Sequence, residues 1–167
     1  MVLFEALIKP MIACASGLVQ LILQRPRVKL FCGWSHEVNA DECGTYLALS
    51  IKIANPGSKA VYFERLEART KTKQSYFPSF SGLISGTEIK PGAGVVGHIP
   101  VGHIVDHGVV ELRVYDSVER VFKLRGRAFQ KTLKALAEEK VRLESLGFSV
   151  HPSSSVRSAA NAARFQV

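Results

Sequence analysis

Cysteine is scarce in this chain, and its count is odd. The three cysteines are Cys14, Cys32 and Cys43, and an odd number argues against a closed disulfide framework. If a loop over residues 36–43 joins two antiparallel strands, Cys32 lies opposite Leu47 and Cys43 opposite His36, and thiols that far out of register cannot be bridged. The sequence therefore predicts a reducing location, either the cytoplasm or the cytoplasmic face of the inner membrane.

The chain also lacks the common signatures of catalysis. No G-x-S-x-G, phosphate-binding loop or G-x-G-x-x-G precedes a helix. The adjacent carboxylates Asp41 and Glu42 lie in a predicted loop, and Glu138 and Glu139 are neighbours on a predicted helix, where their side chains point to different sides. We therefore expect a protein that is not an enzyme and needs no cofactor.

Residues that bind metals are present, but their pattern does not favour a metal site. His98, His103 and His107 lie close to Asp106 in the sequence, and zinc sites are built from such residues. However, His98 belongs to a predicted strand, the other two histidines flank a loop containing glycine, and no second Cys or His cluster completes a ligand set. We expect surface histidines and no bound metal. Cys32, next to Trp34 on the inward face of a strand, is expected to be inert packing.

No apolar run in the chain reaches the length of an ordinary membrane span. Residues 1–24 are predicted to form a hydrophobic helix with one narrow polar stripe, and the uninterrupted run from Pro10 to Leu23 is shorter than the about 20 residues that a span needs. A signal peptide is disfavoured because the basic residues follow the apolar core instead of preceding it. The helix therefore lies on a membrane or partner surface, spans, or packs on its own domain. The residues predicted to make the membrane or partner contact are Phe4, Leu7, Met11, Leu18 and Ile22.

What the sequence does have is the composition and alternation of one β-rich domain. Its 167 residues are 47% hydrophobic and 22% charged, which are globular values. From residue 27 apolar and polar side chains alternate, as in residues 28–34, 45–53 and 110–114, which is typical of half-buried strands. An irregular step near Glu64 or Arg65 predicts a β-bulge, and turns are expected at residues 55–58 and 90–94.

Six or seven short strands with turns between them predict an antiparallel β-sandwich over residues 25–126. No helical pattern separates these strands, and this excludes a parallel α/β sheet. The turn of residues 55–58, the later Pro91-Gly92 and the hairpin of residues 114–117 resemble a loose class of uncharacterised bacterial proteins. Those proteins have an immunoglobulin-like sandwich behind a short N-terminal hydrophobic helix. The resemblance implies a fold and no activity. That class usually has Gly near position 119, and Glu119 at this position predicts a wider turn.

An amphipathic helix is predicted over residues 127–148, followed by a flexible tail over 149–167. Gly147 is the expected C-cap, and Glu138 with Arg142 is an expected i,i+4 ion pair. The helix packs on the domain, pairs with the N-terminal helix, or forms a homo-oligomer contact. Its predicted apolar stripe consists of Phe129, Leu133, Leu136, Ala137, Leu143 and Leu146.

Positive charge is in excess, at a formal +8, and favours an acidic protein, an anionic membrane surface or nucleic acid as partner. A second basic cluster consists of Arg65, Arg69, Lys71 and Lys73. The predicted ligand-binding patch consists of Arg120, Lys123, Arg125, Arg127, Lys131 and Lys134. Strand alternation predicts that Lys123, Arg125 and Arg127 share one face that continues onto the helix. Neither cluster has the interleaved aromatics of single-strand binders.

The sequence thus predicts a binding or scaffolding module associated with the membrane face or a larger assembly. The alternatives are a nucleic-acid-binding protein that uses the basic patch, and a structural subunit of a phage or secretion particle.

Overall fold

The computed structural model describes residues 27–39, 44–148 and 150, and its strands form two antiparallel sheets. The first sheet has the order β1-β2-β6, and its strands are Lys29–Asn39 (β1), Gly44–Ala54 (β2) and Gly94–Pro100 (β6). The second sheet has the order β4-β3-β7-β8, with β5 paired to β3. Its strands are Val61–Thr70 (β3), Ser75–Tyr76 (β4), Glu88–Ile89 (β5), Val109–Asp116 (β7) and Val121–Leu124 (β8). Two helices complete the described residues, Gly102–Val105 (α1) and Arg127–Ser145 (α2).

The core lies between the sheets, as the alternation predicts. Alternate residues of β2 from Leu47 to Ile53 are buried, and Leu112 and Val114 of β7 meet them from the second sheet. Since side chains of a strand point alternately to its two faces, each strand contributes one apolar row to this core. The prediction of an antiparallel sandwich is confirmed, but the described residues form eight strands instead of six or seven. The strand β5 was not predicted, because two residues are too few to show a period.

The register predicted for the first two strands is wrong by four residues. β1 continues through His36 to Asn39, so that Cys32 lies opposite Ile51 and His36 opposite Leu47. A shift by an even number leaves every side chain on its predicted face, which is why Cys32 still packs against the core. Trp34 was expected to be buried but is 41% exposed, because β1 is an edge strand with no neighbour on one side.

The predicted bulge occurs in β3, where the pairing with β7 slips between Phe63 and Arg65. The extra residue changes the phase of the strand. As a result Phe63 and Leu66 both point into the core, while Arg65 and the residues at two-residue steps beyond it point outward.

The predicted turns are present, and buried polar side chains fix them. Asn55 is fully buried, and its amide donates to the carbonyl oxygens of Lys59 and Ile89 at 2.7 and 2.8 Å. The hairpin between β7 and β8 is tight, because Glu119 N donates to Asp116 O and Asp116 N to Arg120 O. The wider turn predicted from Glu119 is wrong. This residue itself adopts φ +61°, a conformation that usually requires glycine.

The helix α2 packs on the domain, one of the three predicted alternatives. Phe129 and Leu136 are buried in the core. β8 is half as long as β7, and α2 continues beside β7, where Gln130 Nε2 donates to Val110 O at 3.2 Å. Across the gap, Thr132 Oγ1 lies 3.6 Å from Cys32 Sγ of β1. α2 therefore closes the side of the sandwich that the short strand leaves open.

At the C-terminal end of α2 the predicted cap is confirmed, but the predicted ion pair is wrong. Gly147 has φ +80°, and Phe148 N donates to Leu143 O at 3.0 Å, which is the hydrogen bonding of a Schellman C-cap. The ion pair predicted between Glu138 and Arg142 is wrong, because Arg142 binds Glu139 instead. Leu146, at the end of the predicted stripe, is exposed, since the helix extends past the core there.

Two further boundaries differ from prediction. The helix α1 does separate β6 from β7, where only a loop was expected; four residues are too short to give a helical period. Val150 is only 2% exposed and belongs to the core, so the tail predicted from residue 149 does not begin there. The hydrophobic helix predicted for residues 1–24, and with it Phe4, Leu7, Met11, Leu18 and Ile22, lies outside the described residues, as does Cys43.

Candidate binding surfaces

The outer face of the second sheet brings together residues from both basic clusters of the sequence. In the pairing of β3 with β7, Arg65 lies opposite Tyr115, Glu67 opposite Arg113, and Arg69 opposite Glu111. In the pairing of β7 with β8, Arg113 lies opposite Lys123. Residues opposite each other in a sheet share a face. We call this surface the basic sheet face, and it consists of Arg65, Glu67, Arg69, Glu111, Arg113, Tyr115, Lys123 and Arg125.

An ion-pair network forms the centre of the basic sheet face. Arg113 Nε binds Glu111 Oε1 at 2.6 Å, and its Nη1 lies 3.6 Å from Glu67 Oε1. The Tyr115 hydroxyl donates to Glu67 Oε2 at 2.6 Å. The side chains of the two glutamates are only 14% and 10% exposed, and Arg113 bridges them. Arg113 offsets one of the two negative charges, and the nearby Lys123 and Arg125 also interact with Glu111.

The network keeps both glutamates ionised. Burial raises the pKa of Glu67, but hydrogen bonds from Ser75 and Tyr115 and the nearby Arg113 together hold that pKa below its usual value. Burial likewise raises the pKa of Glu111, and the hydrogen bond from Arg113 with the surrounding cations outweighs it. The hydrogen bond to Glu67 raises the pKa of Tyr115, so this hydroxyl keeps its proton. The network is therefore fully formed at neutral pH.

A second arginine is fixed at the hairpin side of the face. The guanidinium of Arg65 lies 4.2 Å from the centroid of the Tyr115 ring and binds both carboxylate oxygens of Glu119 at 2.7 and 2.6 Å. Stacking and bidentate binding both restrict the orientation of this side chain.

The remaining cations of the face are available to a partner. Arg69 and Lys123 form no ion pair among the residues that the structure describes. Arg125 is 66% exposed and lies 3.6 Å from Glu111, the length of a weak pair. Lys123 and Arg125 both lower the pKa of Glu111, so these two cations interact electrostatically with the same carboxylate.

The structure divides the six residues predicted as a ligand-binding patch. Lys123 and Arg125 lie on the basic sheet face. Arg120 is in the hairpin, where its Nε binds the buried Asp116 at 2.5 Å. Arg127, predicted on a strand face with Lys123 and Arg125, is the first residue of α2, and that prediction is wrong. Lys131 and Lys134 are exposed on α2, and Lys134 lies 3.8 Å from Glu138. The sequence did not show that Arg65 and Arg69 join the patch, because strand order is needed to place β3 beside β7.

The outer face of the first sheet has a small cluster of the residue types used in hydrolysis. Ser50 Oγ lies 3.2 Å from His98 Nδ1, and Glu37 Oε1 lies 3.0 Å from the same nitrogen. Ser35 contacts Ser50 at 2.5 Å and Glu37 at 2.6 Å. In a catalytic triad the carboxylate and the nucleophile contact different ring nitrogens. Here one nitrogen meets both, so His98 is not positioned to take a proton from Ser50 and be oriented by Glu37 at the same time.

The histidines weighed as metal ligands lie in different settings. His98 belongs to the cluster just described, His103 Nδ1 accepts from Ser79 N at 3.1 Å, and His107 packs on the Tyr76 ring at 4.9 Å. Burial raises the pKa of Tyr76 to about 12, and its hydroxyl donates to the carbonyl oxygen of His103. Within residues 27–39, 44–148 and 150 no group of three or more His, Cys, Asp or Glu side chains is arranged to hold a metal ion.

In the described part of the chain, neither helix combines the length and the apolar content that a membrane crossing requires. No model of a known protein family matches the sequence, and no curated protein matches it.

Proposed function

We propose that this chain is a non-enzymatic binding module in which the basic sheet face contacts an acidic partner protein. Residues 1–24 attach the module to the cytoplasmic face of the inner membrane or to a larger assembly. The observation that supports the proposal is that Arg69, Lys123 and Arg125, from two separate sequence clusters, lie together on one sheet face beside a rigid ion-pair network. A cationic surface of this kind suits an acidic partner.

A charge-matched pair of variants tests the surface. The first variant combines Arg69→Gln, Lys123→Gln and Arg125→Gln on the basic sheet face. The control combines Arg127→Gln, Lys131→Gln and Lys134→Gln on α2, which removes the same net charge elsewhere. Binding of a labelled poly-glutamate peptide to the full chain is followed by fluorescence anisotropy over a series of salt concentrations. Weaker binding in the first variant alone supports the proposal, and equal binding in both variants contradicts it.

The non-enzymatic part of the proposal is supported by the geometry of Ser50, His98 and Glu37. It is tested by offering the full chain activated ester substrates. Turnover that Ser50→Ala abolishes would overturn it.

The proposal includes an immunoglobulin-like fold. The strand orders β1-β2-β6 and β4-β3-β7-β8 correspond to A-B-E and C′-C-F-G of such sandwiches. In this correspondence the basic sheet face is the outer surface of the sheet that contains C, F and G. An experimental structure with a different strand order would contradict it.

Nucleic-acid binding is the second candidate, and the same three cations favour it. Each phosphate contact contributes about 0.9 to the slope of log affinity against log salt for duplex DNA. If duplex DNA is the ligand, the basic-face variant reduces the slope by about 2.7, and the α2 control leaves it unchanged. DNA binding that is absent or independent of salt removes this candidate.

Membrane attachment and assembly are tested on the full chain and on a version that begins at Arg25. A full chain that remains a monodisperse monomer near its mass of 18.3 kDa without detergent contradicts both.

A further inference from the structure

One end of the sandwich collects the start of the described chain and three turns. Lys29 pairs with Ala54, and Ala54 with Gly94, so the start of β1, the end of β2 and the start of β6 lie in one row. Residues 55–60 and 90–93 form adjoining turns there, since Asn55 N donates to Ala93 O and Gly92 N to Asn55 O. The hairpin of residues 117–119 lies beside them, because Ser117 N donates to Tyr62 O at 3.0 Å. We call this the entry end.

Exposed cations are concentrated at the entry end. Arg27, Lys29, Lys59 and Lys90 are all exposed, and in the described residues none of them lies within ion-pair distance of a carboxylate. The two carboxylates of the adjoining hairpin form ion pairs with other residues: Asp116 binds Arg120, and Glu119 binds Arg65. Glu88, next to this end in β5, is the exposed carboxylate that opposes them. The entry end therefore presents an excess of free positive charge.

The tip of the hairpin adds an apolar residue to this charged end. Val118 is 64% exposed, although the backbone beside it is fixed by hydrogen bonds from Val118 N and Arg120 N to the buried Asp116 carboxylate at 3.1 and 2.9 Å. An apolar tip beside basic residues is the combination that peripheral proteins use at a lipid interface.

The opposite end differs in its charge pattern. There Lys71 and Lys73 lie in the turn between β3 and β4, and Lys71 N donates to Gly108 O at 3.3 Å. The exposed Asp106 binds Lys140 of α2 at this end, so the described residues leave two exposed lysines without an ion pair here, compared with four such cations at the entry end.

We infer that the entry end faces an anionic bilayer, with Arg27, Lys29, Lys59 and Lys90 in contact with lipid headgroups and Val118 at the interface. This inference rests on the membrane attachment included in the proposed function. The chain position supports it, because only Arg25 and Pro26 separate residues 1–24 from Arg27. If the apolar segment is in the membrane, the end of the domain at which Arg27 lies is the end closest to the surface. A basic residue near such a surface contributes about a fivefold gain in partition.

The test is the partition of the full chain onto phosphatidylcholine vesicles with and without phosphatidylserine, at lipid concentrations that leave part of the protein unbound. The entry-end variant combines Lys59→Gln and Lys90→Gln. The control combines Lys71→Gln and Lys73→Gln at the opposite end, which removes the same charge. We expect the entry-end variant to lose about thirtyfold of the preference for anionic vesicles and the control to keep that preference.

The outcomes separate the inference from the proposed function. Absence of binding to either vesicle overturns the membrane attachment itself. Binding with an anionic preference that both variants lose equally, or that neither loses, leaves the attachment intact and overturns the orientation. Hydrogen exchange provides a readout independent of affinity. On anionic vesicles the amides of residues 57–60 and of Lys90, Gly92 and Ala93 are expected to exchange more slowly than in solution, while those of residues 71–74 are unchanged. Protection at residues 71–74 instead would overturn the inference.

Discussion

The two outer faces of the sandwich cover the same core with opposite chemistry. On the first sheet the row of Phe31, Lys52 and Val96, and the row of Ser35, Ala48 and Pro100, are mostly apolar or small. On the second sheet every outward position that was assigned to the basic sheet face is charged except Tyr115. The inward faces of the two sheets, in contrast, are alike in being apolar. Folding therefore constrains the inner faces, whereas the outer faces are free to differ.

The two sheets also differ in the side-chain contacts that link neighbouring strands. Across the second sheet, side chains are linked by ion pairs that require ionised carboxylates. Across the first sheet, the hydroxyls of Ser35 and Ser50 bind each other, and the carboxylate of Glu37 lies 3.0 Å from His98. Cross-strand pairs of either kind stabilise a sheet, but charged hydrogen bonds are stronger and their loss is more costly.

The largest effect on stability is expected from Arg113→Met. This change removes the closest cation from both Glu67 and Glu111, and removing one partner of a largely buried ion pair is strongly unfavourable. We expect the free energy of unfolding, measured in urea by circular dichroism, to fall by about 2 kcal/mol.

The matched control for this change is Arg69→Met. It removes a cation from the same face, but one that forms no ion pair in the described structure, and it should lower stability by less than about 0.5 kcal/mol. Equal effects of the two substitutions would show that the network does not stabilise the second sheet.

Lowering the pH should reduce the stability that the ion pairs of the second sheet contribute. The pKa values of Glu67 and Glu111 are lower in the folded chain than in the unfolded one. Their stabilisation is therefore complete above the unfolded pKa, near 4.5, and is lost as pH falls through the lowered folded values. We expect Glu67→Gln to be less stable than the wild type at neutral pH and to lose less stability between neutral pH and about pH 3. As a control, Phe31→Thr on the first face should lose as much stability as the wild type when the pH is lowered. If Glu67→Gln has the same acid dependence as the wild type, ionised Glu67 does not stabilise the second sheet.

A feature of the fold or of the basic sheet face could be predicted from the sequence when residues close together in the chain determine it. Alternation within one strand is local, and it placed Leu47 to Ile53 inward and Lys123 and Arg125 together. The bulge at Arg65 was also predictable, because two apolar residues separated by an odd step cannot both be buried in a regular strand. Gly147 was predictable because few other residues adopt its conformation.

What could not be predicted depends on pairing between distant segments. Nothing local placed Arg69 beside Glu111, or continued β1 to Asn39 with a four-residue change of register. The helix α1 and the strand β5 are too short to have a period. The helix was correctly predicted to begin at residue 127, yet Arg127 was also placed on the strand face of Lys123 and Arg125 because its spacing fits one. Gly126, with φ +96°, ends the alternation before it.

A smaller effect is expected on the first face. Ser50→Ala removes hydrogen bonds to Ser35 and His98 but leaves no unpaired charge buried. We expect the free energy of unfolding to fall by about 1 kcal/mol, less than for Arg113→Met. Urea titration of both variants under one condition makes the comparison. A larger loss for Ser50→Ala would reverse the ranking of the two faces.

The smallest effect, and the sharpest test of the second face, is at Glu119. This residue has the backbone conformation that glycine prefers and so strains the hairpin, but its carboxylate binds Arg65, which is stacked on Tyr115. Glu119→Gly relieves the strain and removes the ion pair, whereas Glu119→Ala removes the ion pair and keeps the strain. We therefore expect Glu119→Gly to have a melting temperature close to that of the wild type, and Glu119→Ala to have a clearly lower one. High salt should raise the melting temperature of Glu119→Gly relative to that of the wild type, because salt screens the exposed ion pair that the wild type alone retains. If Glu119→Ala and Glu119→Gly have the same melting temperature, the backbone strain at this position is negligible. Glu119 then contributes to the basic sheet face only through its charge.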